Sequence, residues 1–347
     1  MHPPVRIDLY SDTNSKPTPA MRRAMAEAEV GNEQAGEDPT VNRLCRMTAE
    51  LLGKEDAVFL PSGTMCNQIA FRVWCEPGDE VILDRIAHPA NSEAGGPSAM
   101  AGASMYTIDG VRGMFTAEQV RGAIREEKRN TARSRVLAVE NTVNFGGGAV
   151  WPLRLLQEAC AAAKERGLKT HMDGARLMNA VVASGVSARD FAAPCDSVWI
   201  DLSKALGCPV GAVLAGSREF IERAWRFKHQ WGGAMRQAGI IAAAGVYALE
   251  NHVERLAEDH ANAKSFARAV AQIPGVKLCF DTTETNIVLF DVSGTGKRVP
   301  EVAEKMRAKG VRMLPRNERE FRAVFHLDVN AAQTEEAVAV LRGAVAG

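Results

Sequence analysis

Four short stretches of this sequence combine reactive residue types with positions where folds do chemistry. The first is Pro61-Ser62-Gly63-Thr64, lying between an apolar run at 57–60 and a helix-like stretch at 65–74. Free backbone N–H groups and the positive end of a helix dipole meet at such a junction, and hydroxyl side chains add donors. It can therefore cradle a phosphate; the same residues also make an ordinary helix cap. The second is His171-Met172-Asp173-Gly174-Ala175-Arg176, closing a buried apolar run. Ligands of parallel sheets sit at the carboxyl ends of strands, so Asp173 would point into a site. Asp173 and Arg176 could equally form a structural ion pair. The third is Ser203-Lys204, at the end of another apolar run. A lysine there either snorkels to solvent or is a functional amine, since burial lowers its pKa and makes it nucleophilic. The fourth is the segment 231–237, Trp-Gly-Gly-Ala-Met-Arg-Gln, where glycine permits close approach and Arg236 can reach a phosphate. Its plainer reading is a hinge.

Together these are the parts of a pyridoxal phosphate site. The lysine binds the cofactor, and the acid keeps the ring nitrogen protonated so that the ring can accept electrons. A dinucleotide site would need G-x-G-x-x-G opening a helix after a strand. The nearest candidate, Phe145-Gly146-Gly147-Gly148, lacks that spacing and runs into Trp151-Pro152.

The elements that must position these residues are visible as periodicity. Apolar runs at 58–60, 81–83, 105–108, 136–139, 168–172, 198–200 and 211–214 read as strands. Helical spacing lies between several of them, as at 153–166. Such alternation predicts an α/β domain with a largely parallel sheet. Beyond Met235 the texture changes: helices at 237–249 and 253–273, strands at 276–280 and 285–290, a helix at 299–309, a strand at 322–327 and a last helix at 334–345. The division expected is 1–255, an N-terminal arm with a large cofactor-binding domain, and 256–347, a smaller α+β domain. The basic run 121–135 reads as a solvated helix face and loop.

Composition narrows the class. The 347 residues carry 42 basic and 42 acidic side chains, so no net positive surface favours nucleic acid or anionic membrane. At 46% hydrophobic and 24% charged, the chain resembles soluble globular proteins and can bury a sizeable core. No stretch approaches the roughly 18 apolar residues of a membrane span, and the start MHPPVRIDLY lacks a signal-peptide core. Seven scattered cysteines, odd in number and never spaced C-x-x-C, argue against a disulfide framework or a zinc site. A cytoplasmic protein without a metal is expected.

Several further motifs stand in register with these four. The sequence holds Asp8-Leu9-Tyr10-Ser11-Asp12-Thr13, Gly36-Glu37-Asp38-Pro39-Thr40, Leu202-Ser203-Lys204, Met235-Arg236-Gln237-Ala238-Gly239 and His326-Leu327-Asp328-Val329. In this order, with Pro61–Thr64 and Asp173–Arg176, they resemble low-specificity L-threonine aldolases from about residue 7 to the C-terminus. The resemblance implies an aspartate-aminotransferase-like, fold type I pyridoxal phosphate enzyme. It also implies a homotetramer, a dimer of dimers with active sites shared between subunits. Lys204 would hold the cofactor covalently, Asp173 would pair with its ring nitrogen, and Arg176 would contact its ring hydroxyl. Ser62, Gly63 and Thr64 would hold the phosphate, with Arg236 reaching in from a neighbouring chain. His88 would stack on the ring and act as base, directly or through a water. Ser11 and Arg322 would bind the substrate carboxylate.

The implied reaction is retro-aldol cleavage of a β-hydroxy-α-amino acid to glycine and an aldehyde. The same scaffold also serves β-elimination, racemisation and transamination, and a fold kept for ligand sensing without turnover is a third class. Intact Lys204, Asp173 and Arg322 weigh against that last one. The sequence departs from the family at Ala35 (usually Tyr), Ser92 (usually aromatic), Val143 (usually His), His229 (usually Lys) and Tyr10 (usually Arg), and Trp231 is bulkier than usual. These changes imply a rebuilt wall facing the substrate side chain, with room for bulkier groups such as aryl rings.

Overall fold

The seven apolar runs of the first two-thirds form one sheet in the computed structural model, which describes residues 3–346. Met1, His2 and Gly347, the outer ends of the two expected units, lie outside the described residues. In chain order the strands are β1 (Ile7–Leu9), β2 (Asp56–Leu60), β3 (Glu80–Asp84), β4 (Ser104–Ile108), β5 (Ser134–Glu140) and β6 (Lys169–Gly174). They continue with β7 (Ser197–Asp201), β8 (Ala212–Gly216), β9 (Lys277–Leu278), β10 (Ile287–Asp291), β11 (Val311–Pro315) and β12 (Glu320–Val324). The large sheet runs β2-β8-β7-β6-β5-β3-β4, and its only antiparallel member is β8, against both β7 and β2.

Alternation along each strand feeds two cores. Ala57 and Phe59, Val198 and Ile200, and Val213 and Ala215 face one, with helices Pro39–Leu52, Leu153–Lys164 and Gly239–Asn251. Val58 and Leu60, Trp199, and Ala212 and Leu214 face the other, under helices Gly63–Trp74 and Arg218–Gln230. Burial on both faces is why these strands read as near-continuous apolar runs. Each large side chain so buried contributes about 1.5–3 kcal/mol relative to exposure. Five of the seven cysteines are buried free thiols, and none is paired.

The second sheet, β1-β11-β12-β10-β9, is antiparallel except for β1 beside β11. Its core takes helices Leu256–Val270 and Ala331–Ala346. The N-terminal strand joins this smaller sheet, not the large unit expected to contain it. Ile7 and Leu9 are fully buried against Val311 and Met313, and Arg312 reaches the Asp8 carboxylate at 2.6 Å. β11 had no counterpart among the expected strands. The basic run 121–135 is a helix end, a loop and the start of β5, and three of its arginines meet acids: Arg121 with Glu165, Arg125 with Glu80 and Arg133 with Asp79.

Parallel strands bring their carboxyl ends to one edge. At that edge β3 ends in Asp84, β5 in Glu140, β6 in Asp173-Gly174 and β7 in Asp201. Glu140 and Asp173 are partners in register, as are Asp173 and Trp199.

Candidate active site

Lys204 follows β7 by one turn and is largely buried. Its Nζ lies 2.9 Å from Asp201 Oδ2 and above the Trp199 indole, 5.5 Å from the ring centroid. Asp201 is fixed in turn by the Ser203 N–H and hydroxyl, both donating at 2.8 Å. Asp173, on the adjacent strand, accepts from Ala175 N–H at 3.0 Å and from the Asn67 amide at 2.9 Å. His88 opens the short helix His88–Asn91 after β3. Its backbone N–H donates to Glu140 at 2.9 Å, and its Nδ1 lies 2.9 Å from Glu93. Burial first and the charge of Asp173 second push the Glu140 carboxyl up to about 7, against the two backbone N–H groups that favour its anion. Nδ1 and carboxylate oxygens of His88, Glu93 and Asp173 lie within 4.8 Å of one another, near enough to hold a cation. Here the Asn67 amide hydrogens fill that role, donating to both carboxylates.

The smaller unit supplies Arg322 from β12, only 7% exposed. It donates to Asn144 Oδ1 at 2.8 Å and to the Tyr10 carbonyl at 3.3 Å, while its Nε has no partner. No carboxylate lies within ion-pair distance of it among the described residues. Burial, with the charge of Arg176, pushes its pKa down to about 10. A guanidinium held in this way is suited to receive an anion. Arg176 itself is committed to Asp12, through two bonds of 2.7 Å from Nε and a terminal nitrogen. Ser11, 7% exposed, caps the single turn Asp12–Asn14 and accepts from Thr13.

Ser62 caps helix Gly63–Trp74 by accepting from Met65 N–H at 3.2 Å. The N–H groups of Gly63 and Thr64 have no acceptor among the described residues, as a phosphate cradle requires. Gly63 also answers a packing demand: a Cβ there would lie 2.2 Å from the Trp199 indole. Arg236 is exposed, and its side chain has no partner among the described residues, while its carbonyl accepts from Glu33 N–H at 3.0 Å. Pyridoxal phosphate fits this set: an amine, a strand-end acid and a dipole-backed cradle at one sheet edge. Among the buried polar atoms without protein partners are Asn141 Nδ2 and Thr142 Oγ1, in the loop after β5, and Arg322 Nε, on β12.

The departures from the family pattern fall in two settings. Ala35, Ser92 and His229 are exposed, whereas Val143 is 1% exposed. Sequence reasoning missed Asn67, Glu93, Glu140, Asn144 and Asp201. Of these, Glu140 and Asp201 were the findable ones, since each directly follows an apolar run and ends its strand.

The Beta-eliminating lyase family profile matches residues 8–293. The chain is 42% identical to the low specificity L-threonine aldolase of Escherichia coli strain K12, over 98% of this chain and 99% of that protein. It is 37% identical to low-specificity L-threonine aldolase 1 of Arabidopsis thaliana, covering 94% and 92% of the two chains. Among solved structures, Leishmania major threonine aldolase superposes with a TM-score of 0.83 at 21% identity, covering 98% and 99%. Sphingomonas wittichii serine palmitoyltransferase gives 0.76 at 16% identity, covering 98% and 87%.

Proposed function

This chain belongs to the beta-eliminating lyase family, among its low-specificity L-threonine aldolases, and from that premise we propose how its residues divide the work. The protein is a pyridoxal-phosphate-dependent lyase that cleaves β-hydroxy-α-amino acids to glycine and an aldehyde. When bound, the cofactor supplies an electron sink for the pair released from the Cα–Cβ bond. Lys204 holds it covalently, Asp173 keeps its ring nitrogen protonated, and Ser62, Gly63 and Thr64 take the phosphate. Arg176, fastened by Asp12, offers its remaining terminal nitrogen to the ring hydroxyl. Arg322 and Ser11 clamp the substrate carboxylate, which fixes the Cα–Cβ bond in the orientation that breaks. His88 removes the β-hydroxyl proton, directly or through one water.

The observation that carries this reading is Arg322, a buried guanidinium with no carboxylate of its own, borne on the smaller unit near the strand-end acids. A coupled aldehyde-release assay with glycine quantified in parallel tests the reaction across both diastereomers of several β-hydroxy amino acids. Equal glycine and aldehyde are expected. Ammonia with a keto acid, or inversion at Cα without cleavage, would assign it to elimination or racemisation instead.

We also propose a homotetramer with shared sites, located in the cytoplasm. Arg236 is exposed on its own chain, and Val30 and Ile240 are 41% and 49% exposed. No helix of the described residues is long and apolar enough to cross a membrane. Mixing Lys204→Ala with Arg236→Ala subunits should restore activity that neither variant has alone, and light scattering gives the assembly size.

A further inference from the structure

One fully buried amide joins the two ends of this site. Asn67, on helix Gly63–Trp74, accepts on Oδ1 from Trp199 Nε1 at 2.7 Å and from His171 Nε2 at 3.1 Å. Its Nδ2 donates to Glu93 Oε1 at 2.7 Å and to Asp173 Oδ2 at 2.9 Å. The amide can lie only one way round, because an indole nitrogen only donates and a carboxylate only accepts. Upstream the polarity is also set. Burial drives the His171 pKa down to about 3, so the ring is neutral. Its Nε2 carries the hydrogen, and its Nδ1 accepts from Ser197 Oγ at 2.9 Å, which Trp74 Nε1 meets at 3.1 Å. Every donor in this chain therefore runs toward the two carboxylates. At the far end Glu93 Oε1 meets His88 Nδ1 at 2.9 Å, and Glu93 Oε2 is buried without a partner.

We propose that Glu93 is a positioning residue for the proton transfer: it holds His88 with hydrogen on Nδ1, leaving Nε2 as the basic nitrogen, and Asn67 fastens it to Asp173. This rests on His88 being the group that receives the β-hydroxyl proton. Glu93 is wholly buried and the His88 ring 31% exposed, so Nδ1 faces inward, and Nε2 has no protein partner among the described residues. The proton passes from the hydroxyl oxygen to Nε2 as the Cα–Cβ bond breaks and the hydroxyl carbon becomes the aldehyde carbon. The pair left on Cα ends in a C–H bond when Cα is reprotonated, giving glycine. The imidazolium formed in between lies against Glu93, as the imidazolium of a hydrolase triad lies against its carboxylate. The ionisable groups facing His88 are Glu93 from the following segment, Asp173 from β6 and Glu140 from β5. Burial opposes its protonation, and the Glu93 hydrogen bond with these three charges outweighs that and raises its pKa.

The test pairs a tautomer measurement with a pH profile. In holoenzyme labelled with 15N-histidine, His88 above its pKa should show a protonated Nδ1 and a bare Nε2; the reverse assignment overturns the proposal. Glu93→Gln should lower kcat by about tenfold or more with KM within about twofold, while the cofactor's visible absorbance stays. The acid limb of kcat/KM should move to lower pH, and Glu93→Asp should restore part of both effects. In a His88→Asn background Glu93→Gln should add nothing. An unmoved acid limb, or an equal loss in that background, removes Glu93 from the proton transfer. If His88→Asn keeps wild-type kcat, the reading of His88 has failed, which is a different outcome. Should Glu93→Gln not fold, the tautomer of the wild-type ring still decides.

Discussion

Asp12 and Arg176 are joined by two hydrogen bonds of 2.7 Å, with both side chains almost wholly withdrawn from water. The pair ties the segment after β1 to the end of β6, so the arm of the smaller sheet is latched to the catalytic edge of the larger one. Burial alone would push the Asp12 carboxyl up. The charge and hydrogen bonds of Arg176, with Lys204 and Arg322 nearby, hold it well below the ordinary carboxylate range.

A carboxyl with a depressed folded-state pKa contributes stability above its unfolded value, near ~3.9, and loses it as pH falls toward the folded value. Asp12→Asn should lower stability at neutral pH by about 3–5 kcal/mol, because Arg176 stays buried without its counter-charge. The gap between variant and wild type should narrow below about pH 4. Denaturant unfolding across the acid range checks this. A gap independent of pH would mean that the charge on Asp12 adds nothing.

Arg322→Ala should raise KM for every amino-acid substrate and lower kcat. Removing one partner of a buried charge-assisted pair costs about 2–5 kcal/mol, here read in kcat/KM. The cofactor's absorbance should not change, since Arg322 is assigned to the carboxylate and its present contacts are Asn144 and the Tyr10 carbonyl. Loss of cofactor with substrate affinity intact would place the clamp elsewhere.

Lys204→Ala should abolish the visible absorbance of the covalently held cofactor and essentially all turnover. The fully buried Lys228 has its Nζ paired with Glu33, so it is not free to substitute. Borohydride reduction followed by peptide mapping checks the attachment point. Cofactor trapped on any other lysine would overturn the assignment.

What the sequence made legible follows from locality. Strands β2, β3 and β5 to β8 are buried on both faces and announce themselves as short apolar runs, whereas β4, at the sheet edge, buries only Ile108. β1 is three residues long and finds its partner, β11, some 300 positions away, so no local pattern marks either as a strand of the smaller sheet. Lys204, Asp173 and the Ser62 cap were legible because each sits where one element ends. Asn67 was not: a polar residue inside a helix reads as a solvent face, and only the packing of Trp199 and His171 against it reveals a buried amide. Glu93 likewise lies among exposed neighbours, Ser92 and Ala94, and is itself 4% exposed.

The substrate side chain is the last matter that the residues address. Ala35, Ser92 and Val143 each replace a larger or more polar residue of the family, which predicts a preference for bulky β-substituents over the methyl of threonine. The space gained is kept only if neighbouring rings leave it open. The Tyr10 ring is covered by the Arg312 guanidinium at 4.8 Å and remains 37% exposed, and Trp231 lies against Phe227 at 5.6 Å. Both rings are therefore held by partners of their own. Each buried methylene contributes about 0.8 kcal/mol, so a phenyl group should raise kcat/KM by about tenfold or more over threonine. Val143 is a poor place to test this by substitution alone. Its Cγ1 would lie 2.4 Å from a Cβ at Gly113 and 3.1 Å from one at Gly146, so that side is already packed and histidine must displace something. Ser92 is exposed, and Ser92→Phe should fold without strain. The measurement is the ratio of kcat/KM for phenylserine to that for threonine in wild type, Ser92→Phe and Val143→His. The ratio should be well above one in wild type and fall in both variants. A wild-type preference for threonine, or a ratio untouched by either substitution, would mean that these positions do not set the size of the substrate pocket.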